Sequence, residues 1–150
     1  MQPYFRDAVR GDLAEITTIL RERDSATAGS TTPQASGAYR DALAEIDRSS
    51  GNYVLVAEFD SRIVAVLQLL VFRHLQGHGG STAQVVSLDV APSHRTTGIA
   101  GMLLDHALGR CRDLGCTRLQ TLSSTACSDE HHFWERHGFV QLDRGYARPI

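Results

Sequence analysis

Lysine is absent from this chain: all 15 basic residues are arginine. That points to the composition bias of a genome and not to a function. Cysteine is scarce. Cys111, Cys116 and Cys127 are an odd number without metal-ligand spacing, which argues against a disulfide scaffold and for reduced thiols in a cytoplasm. Neither charge sign dominates, since 15 basic residues face 17 acidic ones for a net charge of −2. No basic stripe of the kind that binds nucleic acid is visible. Long apolar runs are missing too. The longest, Ile63 to Phe72, is interrupted by Gln68 and falls short of the roughly 18 residues a membrane span needs. Met1 to Asp12 carries two arginines and two aspartates, which is not a secretory leader.

What is there suits one domain over 1–150, long enough to bury a core unaided. Pro3 to Val9 reads as a first strand. Asp12 then opens a helix, with Glu15 at capping-box spacing and Leu13, Ile16, Ile19 and Leu20 at helical spacing. Ser25 to Gly37 is small and polar and reads as a loop. A second helix is expected over Ala38 to Arg48. From Tyr53 the period becomes that of strands: Tyr53–Glu58, Arg62–His74 after a tight hairpin, and Ala83–Val90. A helix from about Gly98 to Leu114 follows, ended by Gly115, then a strand over Thr117–Leu122. Ser128 caps a short helix reaching His137, and Phe139–Leu142 and Tyr146–Ile150 read as a closing strand pair. The expected fold class is α/β of the α+β type: a mixed, mostly antiparallel sheet with a central β-α-β crossover and helices on both faces.

The chemistry is concentrated between Val85 and Leu108, where strand, loop and helix follow in order. A helix N-terminus presents unpaired N–H groups and partial positive charge, a seat for phosphate. Gly98 lets backbone approach a ligand closely, Arg95 adds charge, and Thr96 and Thr97 add hydroxyls. The loop is neither a Walker A motif nor a dinucleotide-binding fingerprint, because the required glycines and lysine are missing.

Leu88 to Ala100 (LDVAPSHRTTGIA) resembles the acetyl-CoA loop of the GNAT superfamily of N-acyltransferases, with Arg95, Gly98 and Ala100 in its core positions and Val90 at the strand end. His131 to Phe139 (HHFWERHGF) is similar to the same family's penultimate helix. The resemblance implies a V-shaped cleft between the strand ending at Val90 and the strand over Thr117–Leu122. It implies that Leu88 and Val90 offer backbone groups to pantetheine, and that the N–H groups of Thr96, Thr97, Gly98, Ile99 and Ala100 hold the pyrophosphate. It further implies acetyl-CoA as acyl donor, and direct attack by an amine of a small molecule or peptide. By analogy with the family's frequent dimers, a homodimer is an expectation.

Departures from the family pattern fall on the proton-transfer groups. Trp134 stands where the family has a tyrosine, which leaves water or a hydroxyl such as that of Tyr146 to protonate the leaving thiolate. Val86 and Gln84 occupy the positions of the family's common glutamate, so Asp89 is the strand's remaining carboxylate. Cys127 replaces an asparagine near pantetheine. These departures keep open an alternative, a catalytically weak module that binds or senses acyl-CoA. The seven histidines do not group as a zinc set, since His131 and His132 point about 100° apart on a helix, and no metal is expected.

Overall fold

The computed structural model describes residues 2–28, 35–123 and 128–150. The chain runs β1 (Tyr4–Asp7), a 3₁₀ turn (Arg10–Asp12), α1 (Leu13–Ala28), α2 (Ala35–Arg48), β2 (Asn52–Phe59) and β3 (Arg62–Arg73). It continues through a single turn α3 (Gln76–Gly79), β4 (Ser81–Val90), a second 3₁₀ turn (Pro92–His94), α4 (Ile99–Asp113), β5 (Arg118–Thr121) and α5 (Ser128–Arg136). The five strands form one sheet in the order β1-β2-β3-β4-β5. The first three pairings are antiparallel and β4–β5 is parallel, with α4 as the crossover.

The near-continuous apolar run of β3 follows from burial on both faces. Leu55, Ala57, Leu67 and Leu69 face α4 and Trp134, whereas Val56 and Val66 pack under Ile16 and Ile19 of α1. Leu103 and Leu104 of α4 are fully buried, each worth about 1.5–3 kcal/mol of transfer free energy. The β2–β3 hairpin turns through Asp60 and Ser61, both at positive φ, the hand that matches the twist of paired strands.

The start of α1 differs from the sequence reading. Asp12 does not cap toward Glu15. It closes the 3₁₀ turn and accepts the N–H of Val9 at 2.8 Å. Arg6 donates to both Asp12 oxygens at 2.6 and 2.9 Å and to Glu58 at 2.8 Å, tying β1, β2 and the foot of α1 together. Glu15 instead accepts from Arg62 and from the N–H of Ile63.

Two further expectations change. Helix α1 runs to Ala28 and α2 begins at Ala35, so the polar stretch Ser25–Gly37 is helical at both ends; residues 29–34 of it lie outside the described residues. The closing strands Phe139–Leu142 and Tyr146–Ile150 do not form. Gly138 (φ +84) turns the chain, Phe139 packs edge-on to Trp134, and the alternation beyond it meets solvent instead of an opposing core. Among the described residues, no backbone hydrogen bond joins 140–150 to the sheet.

Candidate active site

The site arises from a mismatch in strand length. Along β3, Gln68 pairs with Ser87 and Leu69 with Val85, so Val86 is an extra residue, a bulge in β4. Bulges bend a strand and end its pairing locally. The β4–β5 register stops at that point, at Val85–Thr121, while β4 continues to Val90. From the bulge onward β4 keeps β3 as neighbour and parts from β5. The Thr121 hydroxyl donates to the Val85 carbonyl at 3.2 Å and fixes the apex of the opening.

A cleft of about 340 Å3 occupies this opening. Leu88, Asp89, Val90, Arg95 and Ala100 line one side, Thr121 and Leu122 the other, with Phe133, Trp134 and Glu130 of α5 and Ile19 and Arg23 of α1 closing it. The sequence motifs, far apart along the chain, therefore converge. Asp89 is 7 % exposed and faces α1, where Arg23 Nη1 donates to its two oxygens at 3.0 and 3.2 Å. Burial pushes the Asp89 carboxyl above the ordinary aspartate value, Arg23 pulls it down, and Asp24 and Glu130 push it up again.

Between the lining residues Arg95 and Ala100, Gly98 caps α4 in the left-handed conformation (φ +79), and a Cβ built there meets no atom within 4 Å. Helix α4 thus opens with free N–H groups on unobstructed space. Thr97 is an exception to the expected cradle. Its N–H and its hydroxyl both serve the His94 carbonyl, at 3.2 and 2.7 Å. That leaves the N–H groups of Thr96, Gly98, Ile99 and Ala100. Ile99 contributes backbone alone, because its side chain is core.

Trp134 is 8 % exposed, held edge-on between Phe133 and Phe139. Its indole Nε1 has no hydrogen-bond partner among the described residues. Tyr146 stands apart: it is 90 % exposed, on the segment outside the sheet, and not in the cleft lining. Cys127 lies outside the described residues. Sequence reasoning missed Arg23, Glu130 and the bulge. Only the exposed polar face of α1 hinted at the first. Among the described residues no three His, Cys, Asp or Glu side chains gather to hold a metal ion, and no helix is long and apolar enough to cross a membrane.

The model of the acetyltransferase (GNAT) family matches residues 13–139. This chain belongs to the GNAT family. Membership brings acyl transfer as the class of activity, with acetyl-CoA as the donor general to GNAT proteins. Solved structures agree on the fold. A protein from Bacillus halodurans C-125 described as a transcriptional regulator superposes with a TM-score of 0.86 at 24% identity, over 99% of this chain and 100% of that one. Glucosamine-6-phosphate N-acetyltransferase from Arabidopsis thaliana gives 0.82 at 13% identity, over 100% and 99%. An aminoglycoside 6'-N-acetyltransferase from Acinetobacter haemolyticus gives 0.77 at 16%, over 98% and 99%. A comparison with curated proteins returns no match.

Proposed function

We propose that this protein is an N-acetyltransferase that passes acetyl from acetyl-CoA directly to a primary amine of a small molecule or peptide, with both substrates bound together. The observation that supports it most is the open strand-end cleft lined by Arg95 and Ala100, between which a left-handed glycine starts a helix. The space a Cβ would take at Gly98 is empty, as close approach of a pyrophosphate to backbone requires.

Leu88 and Val90 offer strand backbone to the pantetheine arm. The N–H groups of Thr96, Gly98, Ile99 and Ala100 hold the pyrophosphate, and Arg95 adds charge. When bound, acetyl-CoA supplies an activated acetyl group: a carbon–nitrogen bond forms to the amine, the carbon–sulfur bond breaks, and CoA leaves as a thiolate that takes a proton from water. Asp89 takes the proton that the amine nitrogen sheds, directly or through water, and passes it to solvent. Its raised proton affinity suits that task. Phe133 and Trp134 wall the cleft against water. Most of the rate enhancement is positioning.

Trp134 favours a second reading, an acyl-CoA-binding module with weak chemistry, because an indole N–H donates a hydrogen bond but does not give up its proton. Calorimetric titration with acetyl-CoA and CoA, followed by thiol-release assays over an amine panel, decides. Binding with turnover supports the enzyme. Binding without turnover of any amine supports the module, and no binding overturns both.

A further inference from the structure

The cleft around Asp89 is short of positive charge. Asp89 and Glu130 line it, and Asp24 adds its field at Asp89. Among the described residues, Arg23 is the cation paired with Asp89. Glu130 is half-buried and has no ion-pair partner among the described residues. Asp89 is the cleft's buried carboxylate, and Arg23 holds it through a single nitrogen rather than through the two-nitrogen fork that makes guanidinium–carboxylate pairs strong. The Arg23 side chain is itself 49 % exposed. This is a replaceable partner for a carboxylate whose burial demands a cation. Arg95 does not offset the deficit. Its Nε donates to the Val90 carbonyl at 3.4 Å, and on the proposed donor placement its charge is met by the phosphates.

We propose that the acceptor is a small aliphatic diamine, whose two nitrogens are shared between Asp89 and Glu130 and displace Arg23 from Asp89. The inference rests on the N-acetyltransferase reading and names its acceptor class. Low volume points the same way as charge. The cleft, about 340 Å3 and open to solvent, must also admit the donor's acylated arm, so a small acceptor suits it better than a bulky one. The nitrogen at Asp89 loses its proton to that carboxylate and is acetylated. The nitrogen at Glu130 remains charged and fixes the reach between the two. An acceptor bearing a carboxylate would meet Glu130 and Asp24 as like charges.

The test is calorimetric titration of the intact protein, saturated with CoA, with three probes of equal length: 1,5-diaminopentane, pentylamine and 5-aminopentanoate. The diamine is expected to bind about tenfold more tightly than pentylamine, the worth of one partly desolvated charged hydrogen bond. The aminopentanoate is expected to bind more weakly than either. Arg23→Gln strips the cation from buried Asp89, so it is compared only once thermal melting shows it folded. The folded variant should tighten diamine binding several-fold, while Glu130→Gln, which leaves that pair intact, should close the gap to pentylamine. Equal binding of diamine and pentylamine, no binding of either, or a gap that survives Glu130→Gln overturns the inference. Thiol release from acetyl-CoA separates the two claims. If pentylamine is acetylated as readily as the diamine, the acceptor class falls and the N-acetyltransferase reading stands. If CoA itself does not bind, that reading falls, and the same titrations without CoA still decide the diamine preference.

Discussion

Replacing Gly98 by alanine separates the donor cradle from the scaffold that carries it. Gly98 has φ +79, where an L side chain costs about 1–2 kcal/mol. The added Cβ touches nothing within 4 Å, so no steric term is added to that strain. For a chain of this length the melting temperature should therefore drop by about 2–8 °C. The methyl group would stand in the space assigned to the pyrophosphate and hold the N–H groups away from it. Acetyl-CoA affinity, read by calorimetry well below the melting transition, should fall at least about tenfold, the loss of one charge-assisted contact. Gly109 provides the control. It lies within the same helix, its Cβ also meets nothing, and Gly109→Ala should gain about 0.5–1 kcal/mol with donor affinity intact. A folded Gly98→Ala protein that binds acetyl-CoA as tightly as the parent would refute the placement of the phosphates at this helix end.

Gly101→Ala should act on packing: its Cβ would fall 2.5 Å from His137 Nε2, on a ring that donates from Nδ1 to the Phe133 carbonyl at 2.8 Å. A loss of about 1–3 kcal/mol in urea unfolding is expected, partly relieved in a double variant with His137→Ala. The rate of thiol release should rise with pH through the raised Asp89 value, because the carboxylate must be charged to accept a proton. Arg23→Gln removes a group that favours the charged form in the free enzyme, so this limb in kcat/KM for the acceptor should move to higher pH; a limb that stays put would remove Asp89 from the proton path. Arg6 holds Asp12 below its ordinary 3.8, so that pair's stabilisation is present above that pH and lost as pH falls through the folded value. Arg6→Gln should flatten this part of the acid-unfolding curve.

The sheet and its crossover were legible because their signals are local. The hairpin at Asp60–Ser61, the run of β3 and the amphipathic α4 each announce themselves within a dozen residues. The strand-to-helix loop that carries Arg95, Gly98 and Ala100 was legible for the same reason. The Arg23–Asp89 pair was not, since its members lie 66 positions apart and meet only after β4 has folded back beneath α1. The bulge at Val86 leaves no mark either, because an extra valine in a strand looks like any other. The strands expected over Phe139–Leu142 and Tyr146–Ile150 show the opposite failure. Their alternation is real, but a strand needs a partner as well as a pattern, and β5 ends after four residues.

The bulge at Val86 also divides what selection can change from what it cannot. Ile99, Leu103 and Leu104 carry the donor-side helix and are at the same time the centre of the core, so errors there cost the whole fold. Arg23 and Glu130 project into the same opening from the other side and belong to neither buried cluster. Glu130 can be exchanged without stripping the partner from buried Asp89, and on the diamine proposal its exchange should alter which acceptor is welcome. A library randomised at Glu130, with Arg23 and the donor loop left intact, should yield folded proteins nearly throughout. It offers a route to new acceptors that a search through the core would not.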